Sequence, residues 1–319
     1  MVMTRGTFEG DKIMSDKKRL ITRSDFDGLV CAVILKEMDL IEDIKFVHPK
    51  DMQDGKIEVT SNDISTNLPY VEGIGLAFDH HLSETIRNGK KDNHIIDPDA
   101  PSAARVVYDY YGGAKRFPMI TVEMMDAVDK ADAAWFTEEE ILDPQDWVLL
   151  SFLMDARTGL GRFREFRISN YSLMMDLIDY CKDHSIKEIL ELPDVKERVD
   201  LFFSYKDKFY EQIKVHSEVH GNVLVVKLKD VETIYPGNRF VKYALFPETN
   251  VSIQQIWGFR QQNTVYTVGK SIINKSNKAN IGEMMLSYGG GGHMNAGTCQ
   301  VDHDLADQVL SELIVKLQD

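Results

Sequence analysis

Residues 19–38, RLITRSDFDGLVCAVILKEM, decide how the first half of the chain reads. Arg19–Thr22 is a short run with the pattern of a buried strand. From Gly28 to Met38 the apolar residues Leu29, Val30, Val33 and Ile34 recur at helical spacing. Between the two stand a pair of carboxylates, Asp25 and Asp27, and a glycine, Gly28. A strand that hands over directly to a helix predicts a parallel α/β sheet, and the carboxyl end of such a strand is where open sheets bind ligands. Taken alone, the pair fits an acidic helix start equally well, since the helix dipole favours it.

The alternation continues outward. Asp43–Val47, Ile57–Thr60, Gly73–Phe78 and Ile95–Ile96 read as further strands, and Ser102–Tyr111 as a helix stopped by Gly112 and Gly113. From Thr121 the pattern is mostly helical, ending in a long helix over Val199–His216 that contains neither Gly nor Pro. Strands return at Val223–Leu228, Phe240–Leu245, Val251–Ile256 and Thr264–Val268, before a Gly-rich turn and an amphipathic helix over Leu305–Leu317. The expected organisation is a loose tail over 1–18, an α/β domain with a parallel sheet over 19–198, a linker helix over 199–219 and a smaller α+β domain over 220–319.

With 319 residues, 43% of them hydrophobic, the chain can bury two cores. No apolar run reaches the roughly 18–20 residues that span a bilayer, so no membrane partner is expected. The three cysteines, Cys31, Cys181 and Cys299, are far apart and form no C-x-x-C, which fits a reduced cytoplasm better than a disulfide or thiolate-zinc framework. The net charge of −14 repels long duplex nucleic acid. It is unevenly spread: Gly221–Val301 carries eight Lys/Arg against four Asp/Glu. A small anion held between an acidic and a basic half is the partner this distribution favours.

Three successive strand ends carry Asp25 and Asp27, then Asp63, then Asp79-His80-His81. In a parallel sheet such ends lie side by side, and packed carboxylates repel unless cations neutralise them. Oxygen ligands with an imidazole suit Mn²⁺ or Mg²⁺, and two such ions about 3.5–4 Å apart hydrolyse phosphoesters. In the helical stretch that follows, Asp129 and Asp132 are three apart and can share a face, though a solvated face explains Asp132 as well. Late in the chain, Gly289, Gly290, Gly291 and Gly292 precede His293. Four glycines leave backbone N–H groups open to cradle phosphate oxygens. Arg239 can grip a phosphate with two parallel hydrogen bonds.

Together these residues resemble the DHH phosphoesterase superfamily, in which D-x-D-G, a lone Asp, D-H-H and a helix Asp occur in this order. The Gly289–His293 run with Asn295-Ala296-Gly297 resembles the C-terminal domain associated with it. The resemblance spans Arg19 to Val301. It implies a cytoplasmic hydrolase with two divalent cations, Mn²⁺ foremost and Mg²⁺ as the alternative. It implies that Asp25 and Asp27 each bind one ion, Asp63 bridges both, His80 is a direct ligand and Asp129 completes the second ion, with Asp132 in its place if the register shifts. Asp79 would orient the histidines. His81 would contact the substrate phosphate or support the site, and Gly289–Gly292 with His293 would hold the substrate's far phosphate or nucleotide. The implied substrate is a short oligonucleotide, a linear dinucleotide or a related small nucleotide phosphate. The alternatives are an exopolyphosphatase-like hydrolase and a catalytically weakened nucleotide-binding protein; a homodimer is compatible with any of them. One departure stands out: Arg23 occupies a position where many members carry a metal-binding His, and an arginine stays protonated and cannot ligate.

Overall fold

A computed structural model describes residues 17–318; the expected tail over 1–18 lies almost wholly outside them. Eleven strands form two sheets. The first consists of β1 (Lys18–Arg23), β2 (Ile41–Val47), β3 (Asp63–Thr66), β4 (Leu76–Asp79) and β5 (His94–Ile96), all parallel, in the order β2-β1-β3-β4-β5. The second consists of β6 (Ser217–His220), β7 (Val223–Lys227), β8 (Val251–Trp257), β9 (Thr264–Lys270), β10 (Gly291–His293) and β11 (Ala296–Val301), in the order β10-β11-β9-β8-β7-β6. Its one parallel pair is β7 with β8.

The first sheet reverses its winding direction between β1 and β3, so the carboxyl ends of those strands diverge around a crevice. The helix Phe26–Glu37 starts at that crevice, capped by Asp25, whose side chain accepts from the Gly28 N–H at 3.0 Å. Gly28 is sterically required: a Cβ there would lie 2.0 Å from the Arg23 carbonyl oxygen. The helix is buried on all sides from Phe26 to Leu35. That explains why its apolar residues run almost without interruption and show little amphipathic contrast.

The second sheet uses the period-2 geometry of a strand to serve two cores. Along β7, Val223 and Val225 pack towards the helices Ile281–Leu286 and Ala306–Leu317. Leu224 and Val226 pack into a different cluster with Phe136, Ile141, Phe152, Phe209 and Phe240. This second cluster joins the two halves and forms the floor between them. The Gly237 N–H also donates to the Thr158 carbonyl at 3.0 Å, stitching the halves together on the same side.

Besides β6, which begins within the expected linker over 199–219, and β10 and β11, which form around the expected Gly-rich turn, the structure departs from the sequence reading in three places. The long helix runs Pro193–Val215, because Pro193 sits at its first turn where a missing N–H costs nothing. Phe240–Leu245, expected as a strand, holds a short helix over Val241–Leu245. Ile57–Thr60 is not a strand, and β3 begins only at Asp63. The third departure moves a key residue. Asp63 stands at the amino end of β3, beside Arg19, and Asn67 follows at the carboxyl end, about 13 Å along at about 3.3 Å per residue.

Asp63 is thus a structural clamp. Both its oxygens accept from Arg19, at 2.9 and 2.8 Å, and the Thr60 N–H donates to it at 2.6 Å. Burial works against its charge, but these donors outweigh burial and hold its pKa below the ordinary carboxylate range. Asp63→Ala is expected to destabilise the fold by roughly 1–3 kcal/mol, the cost of losing hydrogen bonds to a charged group. A depressed folded pKa means the contribution is present above an unfolded pKa of about 3.9 and is lost as pH falls through the folded value. Chemical denaturation of both proteins should therefore show a gap near neutral pH that closes in acid, with divalent-cation binding unchanged.

Candidate active site

Three ligand atoms converge at the crevice: Asp27, His80 and Asp132 each offer one atom within 4.8 Å of the others. Each is placed by a different element. Asp27 lies in the first turn of the helix after β1, and its oxygens accept from the N–H groups of Ala103 and Ala104 at 3.0 and 2.7 Å. These are open donors at the start of the helix Ala103–Tyr110, an end that favours negative charge. His80 follows β4. Its Nδ1 lies 3.1 Å from the Ala100 carbonyl oxygen, so Nδ1 donates there and Nε2 is left facing the cluster. That Nε2 lies 3.0 Å from Asp132 Oδ2, yet off the line of a good hydrogen bond.

The electrostatics call for a cation. Burial pushes the Asp27 pKa well up, and Asp132 and Asp25 add to the rise. Burial opposes the His80 imidazolium, but Asp132 and then Asp27 outweigh it and push its pKa up to about 9. Buried carboxylates that repel one another, facing an imidazole nitrogen whose proton an ion would displace, are the donor set of a divalent-cation site. The residues present therefore fit a metal ion.

Several expected residues stand elsewhere. Asp63 is at the far end of its strand, bound to Arg19, and cannot bridge ions here. Asn67 occupies the end of β3 instead. It holds a positive φ of 54°, a conformation Asn tolerates, and its Nδ2 lies 3.3 Å from Asp25 Oδ1. Asp129 is buried against the Ser102 hydroxyl at 2.7 Å and Arg105 Nε at 2.9 Å, while Asp132, one turn on, joins the cluster. Asp25 is tied to Arg23 Nε at 2.8 Å. Fully buried Asp79 accepts from His81 Nδ1 at 2.7 Å, so it orients His81, whereas a backbone carbonyl orients His80.

The second sheet closes the crevice from above. His293, at the end of β10, brings its ring to 6.3 Å from that of His81. Burial, then His81 and Arg23, lower the His293 pKa. The glycine run has a packing cause. A Cβ on Gly290 would lie 2.1 Å from the Thr298 carbonyl oxygen, and one on Gly292 would lie 2.3 Å from that of Ala296. Only Gly289 needs its freedom for a positive φ, at 74°.

Beside the cluster, Arg239 and Arg157 flank Asp155 at 3.0 and 2.7 Å. Asp155 was not singled out from the sequence, because a lone acid after a helix has no distinguishing pattern. Arg157, Arg239 and Lys242 line a cavity of about 660 Å³ that runs under the second sheet to Gly291, Gly292 and Gly297. Lys242 is pushed down to about 8, by burial first and then by Arg239. The crevice is thus acidic on one wall and basic on the other.

The chain is 58% identical to a pGpG-specific phosphodiesterase, PggH, from Vibrio cholerae, over 94% of this chain and 99% of that one, with a TM-score of 0.84. RecJ of Thermus thermophilus, solved with Mn²⁺, shares the fold at 13% identity and a TM-score of 0.53, over 94% of this chain and 52% of that one. No family model and no curated protein matches the chain.

Asp27→Asn and Asp132→Asn are each expected to weaken divalent-cation binding by about 10-fold or more in calorimetric titration. Asp129→Asn should leave the affinity within a few-fold while lowering the melting temperature.

Proposed function

The chain belongs to the DHH phosphoesterase superfamily, and on that premise we propose that it is a divalent-cation-dependent phosphodiesterase that hydrolyses a linear guanine dinucleotide bearing a 5′-phosphate. The observation that carries this reading is that Asp27 and Asp132, grouped with His80, share a pocket with Arg157 and Arg239, which also line the adjoining cavity with Lys242. The likeness to a pGpG-specific enzyme over nearly the whole chain supports the choice of nucleotide. Two carboxylates and one imidazole suit Mn²⁺, with Mg²⁺ second. The three buried free cysteines support a cytoplasmic setting. Among the described residues no helix is long and apolar enough to cross a membrane.

Bound on Asp27, His80 and Asp132, the ion would supply activation of water and charge stabilisation at phosphorus. The chain's own residues account for the rest. Water adds to phosphorus, the bond from phosphorus to the 3′-oxygen breaks, and that oxygen takes a proton. His81 is placed to carry it, since Asp79 fixes its Nδ1 and leaves Nε2 for exchange. His293 stands across the gap from His81 and meets the same phosphoryl group from the other side. Arg239 and Arg157, locked by Asp155, give an anion a rigid pair of guanidinium groups about which little entropy remains to be lost. A cavity of about 660 Å³ lies within the ~300–1,000 Å³ range of small-molecule pockets, which favours a dinucleotide over a long strand.

With Mn²⁺ present, the guanine dinucleotide is expected to be cut much faster than RNA of increasing length, polyphosphate or duplex DNA. Equal rates on long single strands would contradict the reading. A further outcome concerns pH. Lys242, poised near 8, loses its charge as pH rises from 7 to 9, so KM for the dinucleotide should climb over that interval. In Lys242→Met, KM should start high and lose most of that pH dependence.

A further inference from the structure

The crevice is lined by four carboxylates, Asp25, Asp27, Asp132 and Asp155, and they are not equivalent: Asp155 is taken up by Arg157 and Arg239. Asp27 and Asp132 meet His80 within the reach of one ion. Asp25 is already partnered on both oxygens. Its Oδ2 is ion-paired with Arg23 Nε at 2.8 Å, and its Oδ1 accepts from the Gly28 N–H at 3.0 Å and lies 3.3 Å from Asn67 Nδ2. The two residues beside it offer little to a cation. Arg23 stays protonated and has no lone pair to give. Asn67 stands at the end of β3, where a bridging carboxylate would have to be, and carries no charge.

We propose that this centre takes one divalent cation, on Asp27, His80 and Asp132, and that the Arg23 guanidinium stands as a built-in positive charge where a second ion would otherwise sit. The inference rests on reading this crevice as the cation centre of a phosphodiesterase. Charge balance supports it. One divalent ion and the Arg23 guanidinium neutralise Asp25, Asp27 and Asp132, Asp155 being matched by Arg157 and Arg239, whereas a second divalent ion would add two further positive charges to a largely buried site. Asn67 fits the same scheme. It is 1% exposed, its Oδ1 has no hydrogen-bond partner, and it stands against Asp25 without adding charge. Arg23 lies close enough to the gap between His81 and His293 to lower the His293 pKa. A phosphoryl group in that gap would meet the guanidinium, which suits the planar recognition of phosphate oxygens. Arg23 is on this account a catalytic residue that touches the substrate and keeps the cation count at one.

The test is the number of ions per chain. Chelator-stripped full-length protein is titrated with Mn²⁺ by calorimetry, and bound metal is counted by elemental analysis and electron paramagnetic resonance. The expected result is one tight ion with the signal of an isolated Mn²⁺. Two tight ions with a spin-coupled signal would overturn the proposal. The double variant Arg23→His/Asn67→Asp is expected to gain a second ion and the coupled signal; if it folds, as judged by its melting curve, and still binds one, Arg23 and Asn67 are not what sets the count. Arg23→Ala should keep one ion and lose roughly 100-fold in kcat, the scale of losing one electrostatic donor to the transition state. Unchanged kcat would remove Arg23 from the reaction. A wild-type protein with one ion that fails to cut dinucleotides would sink the proposed substrate and leave the cation count standing.

Discussion

Asp25, Asp27 and Asp132, brought together in one partly buried crevice, must be neutralised, and most of the fold around β1 and β3 answers that need. The sheet order places the ends of β1 and β3 at the point where the winding reverses. The chain then has to turn from β1 into a buried helix within a few residues, which only Gly28 permits. The open N–H groups of Ala103 and Ala104 hold Asp27, and Arg23 holds Asp25. What they leave is the charge shared by Asp27 and Asp132, which the His80 imidazole faces. Desolvation raises the energy of this unneutralised site, and a cation recovers that energy on binding.

The second sheet depends on the first through a shared apolar floor. Because β7 points alternate residues into two cores, the joint between the halves is a packed cluster with Phe136, Phe152 and Phe240 at its centre. A packed joint holds the spacing between the acidic wall and the basic wall, and so the size of anion that meets both. The glycine run belongs to the same logic. It lets β10 lie close against β11 and delivers His293 to His81, so close packing accounts for the glycines.

Much of this was legible in the sequence where periodicity was strong. Asp25 and Asp27 sit between an unmistakable strand and helix, and His80 follows a short apolar strand, so each could be placed at the crevice without coordinates. Asp63 could not. The β-branched run Ile57–Thr60 looks more like a strand than Asp63–Thr66 does, and a shift of one short element moved the expected ligand to the opposite end of the sheet. Asn67, which does reach the crevice, carries no charge to advertise it. The choice between Asp129 and Asp132 turned on which face of one helix Ser102 and Arg105 occupy, a tertiary fact. Phe240–Leu245 formed a helix because the joint needed Phe240, Val241 and Tyr243 on one side, and that demand overrode their strand propensity.

The central claim is a location. Anomalous diffraction at the manganese edge, from crystals grown with Mn²⁺, reads it directly. The account predicts a single peak bounded by Asp27, His80 and Asp132, with Arg23 still on Asp25. A pair of peaks sharing Asp25, or density beside Asp63, would contradict it.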